Sequence, residues 1–200
     1  MGTSTPPGAG TVTDGRRARG QRRRAEIIDA TLRVVQRDGA AGVTHRTVAS
    51  EAEVPTSLTT YYFATLDDLL VAALSSVADE YVGQLRHVIE EGGDELHGLA
   101  EIIASSGGSG RMRALAEREL STLAARRPAL RPVASRWRET VADLARRRTA
   151  DPLAVKAVIA AADGLCTAIL LDGAQPDVEV IHAVLVRALG TGEAGHARDE

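Results

Sequence analysis

The sequence predicts an all-α fold with a small N-terminal head and a larger C-terminal body. In segment after segment, apolar residues recur at the three- and four-residue spacing of a buried helix face. Residues that begin or end helices, such as Thr44, Asp38-Gly39 and Asp151-Pro152, border several of these segments. No alternating apolar and polar run is long enough to predict a strand. The chain of 200 residues is sufficient to enclose a hydrophobic core.

Residues 1–18 are rich in glycine, proline, threonine and alanine, and arginines cluster at their end. They show no periodicity, so we expect a disordered basic tail, whose arginines could still contact DNA. The helical pattern begins at Gln21 and continues through Arg37. This first helix would lie across the two helices that follow and close a three-helix head.

Residues 44–63 predict two short helices joined by a tight turn, which is a helix-turn-helix. Thr44 is a suitable N-cap for the first helix. Val54-Pro55 ends that helix because proline lacks an amide proton and disfavours helical geometry in the residue before it. The second helix would expose uncharged hydroxyl side chains, which suit base edges and phosphates in a major groove. The predicted members of this face are Thr56, Ser57, Thr60 and Tyr61.

A periodic segment of about seven turns follows Thr65 and ends near Gly92-Gly93. A helix of this length would begin in the head and continue into the body as a mechanical link. The glycine-rich residues 105–110 are interpreted as a connecting loop, because no phosphate-binding lysine follows them and no strand precedes them. Further body helices are predicted over residues 94–105, 111–126, 128–148, 151–171 and 178–189.

The last two predicted helices have wide apolar faces and several small residues that permit close helix approach. We expect these helices to pair with a second copy of the chain. The alternative is that they only fill the body of a monomer. A twofold dimer would suit a palindromic DNA site with half-sites about one helical turn apart. The predicted interface residues are Val158, Ala162, Leu165, Ile169, Ile181 and Leu185.

Basic charge is concentrated in the N-terminal part of the chain. Residues 1–63 carry nine arginines and six acidic residues, a balance of +3, whereas residues 64–200 carry fifteen basic and twenty-one acidic residues, a balance of −6. Between Gly15 and Arg46, nine arginines face only three acids. This sign is expected of a surface that contacts phosphates. A basic segment that is merely solvated is the alternative.

Cys166 is the single cysteine, which excludes an intrachain disulfide and favours a reducing compartment. No run approaches the roughly 18 apolar residues of a membrane span, and the N-terminus lacks the apolar core of a secretory signal. We therefore expect a cytoplasmic protein without a membrane segment.

Several spaced positions in and just after the predicted head resemble TetR-type transcriptional regulators. The resemblance covers about residues 21–72. It rests on Ile27-Ile28-Asp29-Ala30, Val43-Thr44, Val48-Ala49, Ala52, Val54, Tyr61-Tyr62-Phe63 and Asp67-Asp68-Leu69-Leu70. It implies that the second motif helix enters the major groove, that the body encloses an effector pocket, and that the last two helices form a four-helix dimer interface.

By position, the resemblance implies that Thr44 and Arg46 contact phosphates while the hydroxyl face of the second helix meets the groove. Tyr62 occupies the place of a tyrosine that often touches phosphate in this family. Tyr61 and Tyr62 could instead belong to the core of the head.

Two positions depart from the family pattern. Glu53 replaces the usual turn glycine, so the turn must accept a non-glycine residue or be built differently. Leu66 replaces a phosphate-contacting lysine, so contact there would depend on backbone amides.

The sequence predicts neither a metal site nor catalysis, and it implies no cofactor. The five histidines show no metal-ligand spacing with one another or with Cys166, and no nucleophile motif is present. Trp137 and Met112 are candidates for the lining of an effector pocket because large polarizable side chains suit apolar ligands, and Cys166 is a further candidate. The alternative is that each belongs to an ordinary core.

These observations predict a homodimeric, ligand-responsive DNA-binding regulator, more in keeping with a repressor than with an activator. The predicted organisation is a basic tail (1–18), a helix-turn-helix domain (19–65), a ligand-binding and dimerisation domain (66–190) and a loose tail (191–200). Its partners would be double-stranded DNA, a second copy and a small-molecule effector. The alternatives are an all-α module whose head binds a protein, and a helical enzyme.

Overall fold

The structure is a computed structural model that describes residues 10–90, 92–173 and 176–190. These residues form helices and contain no strand, which confirms the all-α prediction. The α-helices are α1 (Gly10–Asp38), α2 (His45–Glu51), α3 (Thr56–Tyr62), α4 (Leu66–Glu90), α5 (Glu95–Ser105), α6 (Arg111–Leu123), α7 (Arg131–Arg146), α8 (Pro152–Asp172) and α9 (Val178–Ala188). Short 3-10 helices lie at Ala40–Gly42 and Pro128–Leu130.

The chain divides into two compact units, Met1–Leu69 and Leu70–Glu200, which we call the head and the body. The division falls in the first turn of α4, so this helix begins in the head and the rest of it belongs to the body. Each unit has buried apolar residues of its own.

The first helix is longer than predicted. It begins at Gly10, so the prediction of a disordered tail is wrong for residues 10–18. Residues 16–26 include six arginines and two alanines, which favour helices, and a helix propagates easily from a segment already anchored by burial. That anchor is the buried half of α1, from Ile27 to Val35. The predicted tail residues 1–9 and 191–200 lie outside the described residues.

The core of the head is formed by α1 packed on α2, with α2 packed in turn on α3. Its buried side chains include Ile27, Val34, Val48 and Phe63. Thr31 of α1 is buried, and its hydroxyl donates to the Ile27 carbonyl at 2.8 Å, so it carries no unsatisfied donor into the core.

In the body, α5 packs most extensively on α9, and α8 packs on α5, α7 and α9. Asp94, Asp151 and Asp177 each accept backbone amide hydrogen bonds as the N-caps of α5, α8 and α9. These caps satisfy amides that would otherwise lack partners, which explains why these three helices begin where the sequence predicts.

The apolar character of α8 exceeds what we expected from the sequence. By length and composition, α8 could cross a membrane, and α3 with α4 meets the same test only as one bent span. The expectation that no segment reaches this threshold is therefore wrong for α8. Its apolar residues Val155, Val158 and Ala162 belong to the buried core of the body, as expected of a central helix in a helical bundle.

Candidate DNA-contacting surface and ligand pocket

Reciprocal hydrogen bonds close the start of α2. The Thr44 hydroxyl accepts from the Thr47 amide at 3.0 Å, and the Thr47 hydroxyl accepts from the Thr44 amide at 2.9 Å. This is a capping box in which threonine replaces the usual glutamate or glutamine. Thr44 and Arg46 remain exposed beside this cap, and Arg46 has no acidic partner among the described residues.

The turn between α2 and α3 accepts a non-glycine residue. Glu53 has a φ of 52°, and it is the one non-glycine residue with positive φ among the described residues. The next amide, that of Val54, donates to the Ala49 carbonyl at 2.9 Å and so ties the turn to the end of α2. The left-handed conformation costs roughly 1–2 kcal/mol in a residue with a Cβ atom. Of the two alternatives for this turn, the structure therefore shows the first, in which the turn accepts a non-glycine residue.

The outward face of α3 is set by the residue on its opposite side. Thr59 is fully buried, and its hydroxyl donates to the Thr56 carbonyl at 2.8 Å and lies 3.3 Å from the His45 carbonyl of α2. With Thr59 turned inward, the predicted face of hydroxyl side chains is exposed. Its members are Thr56, Ser57, Thr60 and Tyr61, and Tyr61 is 78% exposed.

The two adjacent tyrosines differ in exposure. Tyr62 is half-buried and lies against Gly20 of α1, where an added Cβ atom would be 3.6 Å from the tyrosine hydroxyl. The Tyr61 and Tyr62 rings meet edge to face at 5.1 Å. Phe63 is buried beneath the Arg24 guanidinium, which lies 4.9 Å from the ring centre. Packing in the core therefore explains the role of Phe63 fully and that of Tyr62 in part, but it explains very little of the role of Tyr61.

The arginines of the head fall into two groups. Arg33 and Arg37 pair with Glu51 at 2.7 and 2.6 Å, and their hydrogen bonds hold the pKa of Glu51 below its ordinary range. In the first half of α1, Arg23 pairs with Glu26 and Arg24 lies over Phe63, whereas Arg16, Arg17, Arg19 and Arg22 are exposed and have neither kind of partner among the described residues. The basic charge available to a phosphate therefore lies on this first half of α1 and at Arg46.

The start of α4 already has partners for two of its backbone amides. The Thr65 hydroxyl accepts from the Asp68 amide at 3.1 Å, and the Asp68 carboxylate accepts from the Thr65 amide at 2.9 Å. A phosphate at this helix start would have to use the remaining amides, since Leu66 offers no charge.

The body contains a cleft of about 480 Å³, within the usual size range of small-molecule sites. A small inner chamber shares three lining residues with it, Glu117, Arg118 and Trp137. Tyr81 of α4 lines the inner chamber, and its ring centre is 5.5 Å from that of Trp137. Two aromatic rings and two charged groups thus line the inner chamber, which has a volume of only about 20 Å³, and three of these four residues also line the larger cleft.

Burial changes the titration of the groups that line this cavity. It raises the pKa of Glu117 above its ordinary value, even though the Ser121 hydroxyl donates to the carboxylate at 2.6 Å. Burial likewise raises the pKa of the Cys166 thiol to about 11, so this thiol stays protonated at neutral pH. The buried Nε of Arg118 has no hydrogen-bond partner in the described structure. The cavity therefore offers an unused donor and a carboxyl group whose ionisation is disfavoured by burial even though Arg118 is nearby.

The residues predicted to line the pocket differ in whether they line a cavity in the structure. Trp137 and Cys166 line the inner chamber. Met112 is 51% exposed and lines neither the cleft nor the chamber, so neither cavity supports its predicted role and the assignment stays a prediction. Sequence reasoning missed Tyr81, Glu117 and Arg118. Charged residues such as Glu117 and Arg118 on an amphipathic helix normally indicate a solvated face. Nothing in their local sequence distinguishes these residues.

The residues predicted for a dimer interface mostly face the core of the protomer. Val158, Ala162, Ile169, Ile181 and Leu185 are buried in the body core of the protomer, and Leu165 is partly buried against the same core. A second copy could not reach most of these side chains. The exposed face of α8 instead carries mostly small or apolar residues at helical spacing, namely Leu153, Ala157, Ala160, Gly164, Ala168 and Leu171. On α9 the exposed apolar residues include Val180 and Val184.

Comparison with known proteins identifies relatives for both units. Residues 92–191 match the family model described as the tetracyclin repressor-like C-terminal domain. The nicotine-responsive transcriptional repressor HdnoR of Paenarthrobacter nicotinovorans is 29% identical over 109 residues, which are 53% of this chain and 56% of that protein. The transcriptional regulator BetI of Burkholderia thailandensis is 39% identical over 66 residues, 32% of this chain and 34% of that protein. The matched segments thus span about half or less of these curated relatives.

Solved structures match over nearly their whole length. The multidrug binding protein EbrR in complex with ethidium is 43% identical, with a TM-score of 0.69, over 83% of this chain and 98% of that chain. A structure described as a member of the TetR family, SCO1917 from Streptomyces coelicolor A3, is 43% identical, with a TM-score of 0.74, over 83% of this chain and 97% of that chain.

Proposed function

The chain belongs to the TetR family of transcriptional regulators, and from this premise we propose that it is a dimeric repressor that binds a palindromic duplex and is released by an effector bound in the body. The observation that carries the proposal is the exposed hydroxyl face of α3, held outward by buried Thr59, in a head whose exposed arginines include several without an acidic partner among the described residues. We further expect the protein to act in the cytoplasm.

In DNA recognition, the hydroxyls of Thr56, Ser57 and Thr60 meet base edges or phosphates in the major groove, together with Tyr61. Thr44 and Arg46 contact the phosphates beside the start of α2, and Tyr62 adds a phosphate contact from its half-buried position. Most of the electrostatic attraction comes from outside α3, because α3 carries no charged side chain.

Dimerisation uses the exposed small-residue face of α8 with the exposed valines of α9. Small side chains let two helices approach closely, which suits a four-helix interface between copies. Gly164 has no atom within 4 Å of an added Cβ atom in the protomer, so a larger side chain there is compatible with folding. Gly164→Arg should therefore leave the protomer folded and make it monomeric. Sedimentation measures the mass, and circular dichroism checks the fold.

The effector is an aromatic cation. EbrR is solved with ethidium, malachite green and proflavin, each of which is an aromatic cation at neutral pH. In this chain, Tyr81 and Trp137 provide aromatic surface, and the Glu117 carboxylate provides the compensating charge. A cation in the cavity would remove the penalty that burial places on ionised Glu117.

Release of DNA requires that the effector bind one shape of the dimer better than the other. Tyr81 lies on α4, and only three residues separate the end of α3 from the start of α4, so α4 is the direct covalent connection from the cavity to the recognition helix. We propose that effector binding displaces α4 and changes the separation of the two α3 helices in the dimer.

The test is a binding selection of the full chain from a random duplex library. The proposal expects one palindrome, bound with an affinity that falls steeply as salt increases. Thr60→Ala should weaken binding to the selected site with the dimer intact. The proposal would be overturned if no duplex sequence were enriched, or if the affinity for the selected duplex did not depend on the salt concentration. Either result would favour a head that binds a protein.

A further inference from the structure

Two histidines and several carboxylates meet where α5 packs on α9, and none of the three central residues lines the cleft or the chamber. His97 of α5 and Glu179 and His182 of α9 each offer one ligand atom, and these atoms lie within 4.8 Å of one another. The sequence predicted no metal site because 82 positions separate Glu179 from His97. Packing of α5 on α9 brings these side chains together.

Each helix contributes an imidazole and a carboxylate from one face. On α9, Glu179 and His182 are three residues apart, and on α5, His97 and Glu101 are four residues apart, so each pair projects from neighbouring turns. His97 Nδ1 lies 3.9 Å from Glu179 Oε1, and His97 Nε2 lies 3.6 Å from Glu101 Oε1. The centres of the two histidine rings are 5.6 Å apart.

One ring nitrogen of this cluster is buried without a hydrogen bond. His182 Nε2 has no hydrogen-bond partner in the described structure, and the nearest carboxylate oxygen with which it could form an ion pair is Asp94 Oδ2 at 3.4 Å. The other oxygen of Asp94 accepts hydrogen bonds from the Leu96 amide and from Arg148. A buried imidazole nitrogen without a partner is costly, and a metal ion or a proton would remove that cost.

Ion pairing alone explains the cluster poorly. The separations of 3.4 to 3.9 Å exceed the usual length of charge-assisted hydrogen bonds, and the Glu179 side chain is 77% exposed, where ion pairs contribute little. Two imidazoles with a carboxylate form instead a donor set that suits zinc and related transition metals better than magnesium or calcium.

We propose that His97, Glu179 and His182 bind a divalent transition-metal ion, with Glu101 or water as the fourth ligand. Metal bonds of about 2.0–2.2 Å place neighbouring ligand atoms roughly 3.4 Å apart in a tetrahedral site. The ligand atoms must therefore close in from at most 4.8 Å, which exposed Glu179 can do by rotating its side chain. The ion would tie the last described helix to α5. This inference does not depend on DNA binding or on the effector.

The test uses the untagged full chain, freed of metal by a chelator and then titrated with Zn²⁺ and with Co²⁺. One saturable site per chain is expected, with a visible Co²⁺ spectrum typical of nitrogen and oxygen ligands in a four-coordinate site. Loss of a partner behind a ligand commonly costs 10–100-fold in metal affinity, so His97→Ala should cost at least about 100-fold. His87→Ala removes an exposed imidazole from α4 and should leave the affinity unchanged.

A second variant separates metal binding from folding. Glu179→Gln changes an exposed side chain outside the core and removes only a first-turn charge from α9, so thermal unfolding of the metal-free chain should change little while metal affinity falls at least about tenfold. The proposal is overturned if no saturable site is found. It is equally overturned if His97→Ala and Glu179→Gln both leave the affinity of the site unchanged.

Discussion

Arginine is used differently in the head and in the body. In the first half of α1, Arg16, Arg17, Arg19 and Arg22 are exposed without an acidic partner among the described residues. In the body, arginines join helices through acids: Arg113 pairs with Glu80, Arg136 with Asp79, Arg138 with Asp163 and Arg148 with Asp94. Positive charge is therefore available to an external anion in the head, whereas in the body it is largely used within the fold.

Acidic residues show the complementary difference. In the head, Glu51 is ionised and held by two arginines, which lower its pKa. In the body, Glu117 lies in a cavity where burial raises its pKa, and the Ser121 hydroxyl donates a hydrogen bond to its carboxylate. A carboxyl group in the first setting stabilises the fold when charged, while one in the second setting favours a cationic ligand.

The largest expected effect comes from removing the free charge of the head. Replacing Arg16, Arg17, Arg19 and Arg22 together by alanine should weaken duplex binding roughly 10²- to 10³-fold. Each lost phosphate contact should reduce the magnitude of the salt slope by about 0.9. Fluorescence anisotropy at several salt concentrations measures both quantities.

The matched control removes arginine charge from the body. Arg86→Ala and Arg126→Ala, both at exposed body positions, should leave the salt slope as it is. An equal change of slope in the two sets would mean that the difference between head and body has no role in DNA binding.

An intermediate effect is expected from Glu117→Gln. A hydrogen bond or contact to a buried charge contributes roughly 1.5–3 kcal/mol, so affinity for ethidium should fall about 10- to 100-fold. A neutral aromatic compound of similar size should bind the variant as well as it binds the original protein. Isothermal titration provides both affinities, and an equal loss for the two compounds would contradict the assigned role of the carboxylate.

The same residue predicts a pH dependence of stability. Because burial raises the pKa of Glu117 in the folded protein above its ordinary value of 4.5, its protonated form contributes stability that is present below 4.5 and is lost as the pH rises through the folded-state pKa. Glu117→Gln should therefore raise the stability of the effector-free protein at neutral pH. Ethidium affinity of the original protein should increase over this pH range, since the cation binds the ionised form. Denaturant unfolding at a series of pH values tests the stability difference.

The smallest expected effect is at the turn of the head. Glu53→Gly removes the penalty of a left-handed residue with a Cβ atom, partly offset by the greater freedom of glycine in the unfolded chain. The net gain should be about 0.5–1 kcal/mol in the free energy of unfolding, with duplex affinity unchanged because the position of α3 is kept. Urea unfolding measures the gain, and a loss of stability would show that the Glu53 side chain has a stabilising role of its own.

Local signals explain how much of this protein is predictable. Thr44, Thr65, Asp94, Asp151 and Asp177 each begin a helix with a hydrogen bond that involves only residues two or three positions ahead. The hydroxyl face of α3 was equally predictable, because a seven-residue helix with one inward threonine leaves little choice of outward side. The first half of α1 could not be predicted in the same way, because its composition favours both a solvated tail and an exposed helix.

By itself, the sequence determined the helical class, the starts of most helices, the helix-turn-helix and the family resemblance, since each depends on side chains within a few positions of one another. Only the tertiary structure decided which faces of α8 and α9 are buried, that Glu117 and Tyr81 reach the cavity of Trp137, and that His97 meets Glu179 and His182. Apolar periodicity identifies a helix with an apolar side, but α8 is apolar on nearly every side. Which side faces inward depends on the helices packed against it, and those neighbours are distant in the chain.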